Sequence, residues 1–120
     1  MKRITFSNTA LNKVQLARQE TISWKARDGK TIQGVLTYPL VYRDGKRYPL
    51  ILQIHGGPEG VSLEVGNESY LSNSALAANG YFVLEPNYRG SAGRGVAFSK
   101  LDHDDLGGEE FNDSLKQLII

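Results

Sequence analysis

Apolar residues along this chain fall into short runs separated by polar turns, with few stretches that keep a helical period. Thr21 to Arg27 and Thr31 to Tyr38 each alternate in part between apolar and polar side chains, the pattern of strands with one buried face. Asp28-Gly29-Lys30 separates them, and Asp-Gly between two such runs predicts a β-hairpin. Pro39 ends the second run, and Tyr42 to Tyr48 reads as a polar turn. Leu50 to Ile54 is continuously apolar, which predicts a strand buried on both faces. Gly56, Gly57 and Pro58 follow and break it. Glu59 to Asn67 reads as a loop without a period. The spacing of Leu71, Ala75, Leu76 and Ala78 predicts a helix over about Tyr70 to Ala78, stopped by Asn79-Gly80. Tyr81 to Pro86 is a further apolar strand, so strand, helix and strand imply a right-handed parallel crossover. Phe111, Leu115, Leu118 and Ile119 recur at three- and four-residue intervals and predict an amphipathic helix from Glu109 to Ile120, with carboxylates in its first turn where the helix dipole favours them.

These elements place the chain in the α/β class, with a mixed sheet that begins as an antiparallel hairpin and continues into a parallel βαβ arrangement. Residues 1–20 are polar and irregular and read as a connecting segment; residues 21–120 form the domain. Both glycine-rich loops, 55–60 and 87–95, then fall at the carboxyl ends of strands, where open α/β sheets place their sites.

Composition narrows the chemistry. A chain of 120 residues with 40% hydrophobic and 22% charged residues is ordinary for a globular domain, and a formal charge of +1 gives no electrostatic case for nucleic acid or an acidic membrane surface. The absence of cysteine excludes disulfides, thiolate zinc sites and a cysteine nucleophile. Met1-Lys2-Arg3 is followed by no apolar leader core and no later run could span a bilayer, so a cytoplasmic location is expected.

Four groups of residues could carry chemistry. Gly56 and Gly57, with Pro58 behind them, form a turn that can hold a backbone N–H toward a developing oxyanion; a turn without chemistry is the competing reading. His55 could act as a general base, but a ring that holds the turn by hydrogen bonding is preferred, because no serine or cysteine nucleophile is arranged to use it. Arg89 could grip a substrate carboxylate, or pair with an acidic residue of the following helix. Asp102, His103, Asp104 and Asp105 with Glu109, Glu110 and Asp113 could be mistaken for a metal site; helix capping explains them better, and no metal or cofactor is expected. Gly90-Ser91-Ala92-Gly93-Arg94-Gly95 has neither the lysine and hydroxyl of a Walker loop nor the dinucleotide spacing.

His55-Gly56-Gly57-Pro58, Asn87-Tyr88-Arg89-Gly90-Ser91-Ala92-Gly93-Arg94-Gly95 with Phe98, and Asp105-Leu106-Gly107-Gly108 with Phe111 and Asp113, in this order and preceded by the Asp28-Gly29 hairpin, together resemble the prolyl oligopeptidase family of serine peptidases, nearest its acylaminoacyl-peptidase and dipeptidyl-peptidase-like members. The resemblance covers about residues 20–120. It implies a partial α/β-hydrolase fold with a mostly parallel sheet, residues 1–20 as the exit of a β-propeller, short peptides as substrates, and a Ser-Asp-His triad. It further implies that the Gly57 N–H helps form the oxyanion hole, with His55, Gly56, Pro58 and Arg89 shaping the site.

No Gly-x-Ser-x-Gly elbow occurs in these 120 residues, and neither histidine matches the family's catalytic one. The expectation is a peptidase fragment that carries the oxyanion side, is inactive alone, and needs the other half of its domain as a partner. The strand at Leu50 to Ile54 would then expose an edge through which copies self-associate. A fragment of a carboxylesterase-like hydrolase and a non-enzymatic module binding peptides or partners remain as alternatives.

Overall fold

A computed structural model describes residue 9 and residues 13–57, 59–64 and 73–115. The expected position of Pro58, the start of the helix predicted from Tyr70, the end of the helix predicted to Ile120 and most of the 1–20 connector lie outside the described residues.

The hairpin forms as its pattern predicts: β1 (Gln19–Lys25) and β2 (Thr31–Thr37) are antiparallel, with Trp24 opposite Ile32 and Ile22 opposite Gly34. The Asp28 carboxylate accepts the Lys30 N–H at 3.2 Å and Gly29 takes a φ of +84°, so the Asp-Gly pair supplies both the local hydrogen bond and the left-handed residue that the turn needs. β3 (Leu50–Leu52), α1 (Asn73–Ala78) and β4 (Phe82–Asn87) make the crossover, with β3 parallel to β4. Two short helices follow, α2 (Val96–Ser99) and α3 (Glu109–Leu115).

The four strands run β1-β2-β4-β3. The sheet is mixed, and within these four strands the balance is two antiparallel ladders to one parallel, because β2 lies against β4 rather than β3. β4 is therefore central, and Val83 and Leu84 are almost wholly buried beside Ile32, Val35 and Ala77. β3 corrects the expectation of a strand buried on both faces. It is three residues long at the sheet margin, with Leu50 37% and, just beyond its end, Ile54 50% exposed. Its unbroken apolar run reflects surface left uncovered by the described residues. At the other end of the sheet Tyr38, Tyr42 and Tyr48 pack against Phe82 at 5.2–5.9 Å between ring centroids, so the 38–48 connection is tied down away from the glycine loops.

Gly34 is set by packing. A Cβ there would lie 2.8 Å from the Glu85 carbonyl oxygen and 3.0 Å from Trp24 Cη2, so the indole lies across β2 only because this side chain is missing. The indole Nε1–H then donates to the Asp113 carbonyl oxygen at 3.0 Å and ties α3 to the hairpin.

Candidate active site

The carboxyl ends of β3 and β4 lie side by side because the two strands are parallel neighbours, and each releases the chain into a glycine-rich loop. After β3 come His55, Gly56 and Gly57. Gly57 has a φ of +59°, a backbone region that a side chain disfavours, and both glycines are exposed. The Gly57 carbonyl accepts the Gly60 N–H at 2.7 Å, which closes the turn, while the Gly57 N–H has no acceptor among the described residues.

The second loop holds the first mainly at His55. Tyr88 O–H donates to the His55 carbonyl at 2.8 Å, and its ring stacks on the imidazole at 4.6 Å between centroids and 22° between planes. His55 Nε2 lies 3.1 Å from the hydroxyl of Ser91, which is fully buried. His55 Nδ1 lies 3.3 Å from the Tyr88 hydroxyl and 3.5 Å from the Gly56 carbonyl oxygen. Gly60 makes room for this ring, since a Cβ there would lie 2.5 Å from Nδ1. Burial pushes the imidazole below its ordinary pKa, with hydrogen bonds to Gly56 and Asn87 opposing in part.

Asn87 finishes the scaffold. Its side-chain amide accepts the Ser62 N–H at 2.7 Å and donates to the Ser62 carbonyl at 2.8 Å, pairing with the loop backbone as a neighbouring strand would. The Ala92 N–H donates to the Gly60 carbonyl at 3.1 Å, so the two glycine loops are bonded to each other directly.

Arg89 turns the other way. Its Nε and Nη2 donate to the two carboxylate oxygens of Asp113 at 2.8 and 2.7 Å, and Nη1 reaches Asp28 at 3.2 Å. The Arg89 N–H also donates to Asp113, at 3.1 Å. Arg89 is 5% and Asp113 1% exposed, so the guanidinium is closed off against α3 and the hairpin. Of its two sequence readings, the ion pair with the following helix is the one the geometry contains. Asp105 likewise acts as a cap, accepting the Glu109 N–H at 3.1 Å. Among the described residues no group of three or more histidine, aspartate or glutamate side chains is disposed to hold a metal ion.

The structure thus brings His55, Gly56 and Gly57 together, with Pro58 outside the described residues, and sets Arg89 behind them as a support. The sequence named the loop of Tyr88 and Ser91 without giving either a role. Their partner, His55, is 33 and 36 residues away, and only the β3–β4 pairing makes them neighbours.

Comparison with known proteins agrees with the resemblance read from the motifs. Residues 68–118 match the prolyl oligopeptidase family. Over 97 residues the chain is 36% identical to an uncharacterized peptidase of Bacillus subtilis, YuxL, covering 81% of this chain and 14% of that protein. It is 36% identical over 85 residues to dipeptidyl-peptidase 5 of Aspergillus fumigatus (71% of this chain, 12% of that one). With human dipeptidyl peptidase 8 it shares 33% over 101 residues (82% and 11%). The chain therefore spans between 11% and 14% of the length of these relatives. Its fold is that of the acylaminoacyl peptidase of Pyrococcus horikoshii, with a TM-score of 0.77 at 22% identity over 98% of this chain and 18% of that one. The fold is accordingly part of an α/β hydrolase.

Proposed function

We propose, from a chain whose residues 68–118 belong to the prolyl oligopeptidase family, that these 120 residues supply the oxyanion side of a serine-type peptidase acting on short peptides. The observation that carries this reading is Gly57. It lies in an exposed left-handed turn at the carboxyl end of a strand, with an N–H that nothing described accepts, held from behind by His55. A backbone donor fixed before the reaction stabilises a tetrahedral intermediate at no reorganisation cost. Residues 21–120 act as one domain unit in this reading and 1–20 as its connector. The nucleophile comes from elsewhere in the domain, because the 120 residues contain no serine elbow.

The test is to express the complete reading frame that contains this sequence, label it with a fluorophosphonate, and assay it on chromogenic peptides with free and acylated amino termini. A single labelled serine outside these residues, peptide hydrolysis, and a lowered kcat in Gly57→Ala, whose Cβ strains the φ of +59° that aims the N–H, are expected. Hydrolysis of simple esters with no turnover of any peptide would return the site to the esterase reading, which the peptidase relatives do not favour. The 120 residues alone are expected to give no labelled serine. The uncovered margin of β3 also supports association of the isolated chain with itself, measurable as a concentration-dependent mass in sedimentation.

A further inference from the structure

The Gly57 turn has few internal constraints. Gly56 and Gly57 are exposed, and among the described residues one internal hydrogen bond, from Gly60 to Gly57, closes it. Support from outside comes at its far end from the Ala92–Gly60 bond and at its entry from what touches His55, the residue that leads into it.

The contacts of the imidazole with Gly56, Tyr88 and Ser91 favour one tautomer. The Gly56 carbonyl can only accept a hydrogen bond, and the Tyr88 hydroxyl already gives its proton to the His55 carbonyl, so both oxygens facing Nδ1 require Nδ1 to carry the proton. Nε2 is then an acceptor, and the buried Ser91 hydroxyl donates to it. The opposite tautomer would set an Nδ1 lone pair against the Gly56 carbonyl and leave the Ser91 proton without an acceptor among the described residues. This arrangement satisfies the Gly56, Tyr88 and Ser91 groups together.

We propose that Ser91 and Tyr88 are positioning residues which, through the His55 imidazole, fix where the Gly57 N–H is held. Ser91 orients the ring from Nε2. Tyr88 holds the same residue by its carbonyl and by the face of its ring. Gly60 admits the ring, because a side chain there would occupy the place of Nδ1 and also lie 2.6 Å from the Gly56 carbonyl oxygen. Neither positioning residue touches the reacting atoms. The inference rests on the oxyanion role of Gly57 proposed above.

The complete protein carrying Ser91→Ala or Tyr88→Phe tests it. Ser91→Ala leaves Nε2 without its donor, and Tyr88→Phe keeps the stacked ring while removing the bond to the His55 carbonyl. Each is expected to lower kcat per fluorophosphonate-titrated site about tenfold, a part of what loss of an oxyanion donor costs, with KM unchanged. Crystal structures of the two variants are expected to show the Gly57 nitrogen displaced relative to β3. A purely structural role would lower the melting temperature and leave kcat per titrated site as it was; that result, or a Gly57 nitrogen in its original place in both variants, overturns the inference. A displaced nitrogen in a protein that neither takes the probe nor cleaves peptides would instead remove the oxyanion reading and leave the clamp on the turn in place.

Discussion

The chain leaving β4 builds two supports within five residues, and they use opposite chemistry. At Arg89 the support is ionic: a guanidinium 5% exposed, bonded twice to an aspartate 1% exposed and once to the hairpin turn. At Tyr88 and Ser91 it is neutral: a stacked ring and two hydroxyls around an imidazole. The ionic support joins three elements distant in sequence, β4, α3 and the β1–β2 turn, and its bidentate geometry admits one relative placement of them. The neutral support acts over a single turn whose donor must face outward. A fixed full charge beside that donor would alter the stabilisation of a developing oxyanion, whereas hydroxyls and a neutral ring fix the backbone without adding one. Charge is used where the contact is sealed, and neutral polar groups where the surface must stay open.

Breaking the sealed side should have the largest effect. Asp113→Ala leaves a buried guanidinium without its main partner and is expected to cost about 3 kcal/mol in urea unfolding, while Arg89→Met combined with Asp113→Leu recovers most of that loss. A double variant as unstable as the single one would show that the pair acts by more than mutual neutralisation. Gly34→Ala attacks the same side indirectly, because its Cβ would crowd both the Glu85 carbonyl and the Trp24 ring, displacing the indole and loosening its bond to Asp113. About 2 kcal/mol is expected, with a red shift of the half-buried indole's emission, and an unshifted emission maximum would count against it.

The neutral side should be read most clearly through pH. His55 is held below its ordinary 6.5 by burial, so below pH 6.5 the unfolded chain takes up a proton that the folded chain refuses, and stability falls with falling pH. Glu85 runs against this. Burial raises it above its ordinary 4.5 in spite of the Asn73 and Ser62 hydrogen bonds, so the folded chain keeps a proton that the unfolded one gives up, and stability falls as pH rises from 4.5 through the folded value. His55→Gln is expected to shrink the loss of stability between pH 7.5 and pH 5, and Glu85→Gln to enlarge it. Equal losses in wild type and His55→Gln would mean that the imidazole is not held neutral by its surroundings.

The smallest change belongs to Asp28→Asn. Lys30 first, and Arg89 after it, hold this carboxyl well below the usual range, but the site is open to water and the Arg89–Asp113 bonds remain. A drop in urea midpoint smaller than that of Asp113→Ala is expected; an equal one would make the hairpin turn a full partner in the anchor.

The hairpin, the crossover and the positions of both glycine loops were legible because each rests on local rules: Asp28-Gly29 for the turn, Asn79-Gly80 for the end of α1, apolar runs for β3 and β4. The exposure of β3 among the described residues answers to the open edge that the sequence also predicts, not to its apolar run. An apolar run reports what a strand can be packed against, and whether a neighbour is present is decided by the order β1-β2-β4-β3, with β3 at the margin. Arg89 was legible as a residue with two readings, and only the approach of α3 selected one.

By itself, then, the sequence determined the elements, the class of fold, the family resemblance and the glycine turn at Gly56 and Gly57, since these follow from residue types at short spacing. The tertiary structure decided which side chains act on that turn. Tyr88 and Ser91 meet His55 across 33 and 36 residues, and Gly60 matters for the volume it leaves empty beside the ring. Such contacts depend on how two strands are paired and twisted, a property of the packed sheet that no local spacing encodes.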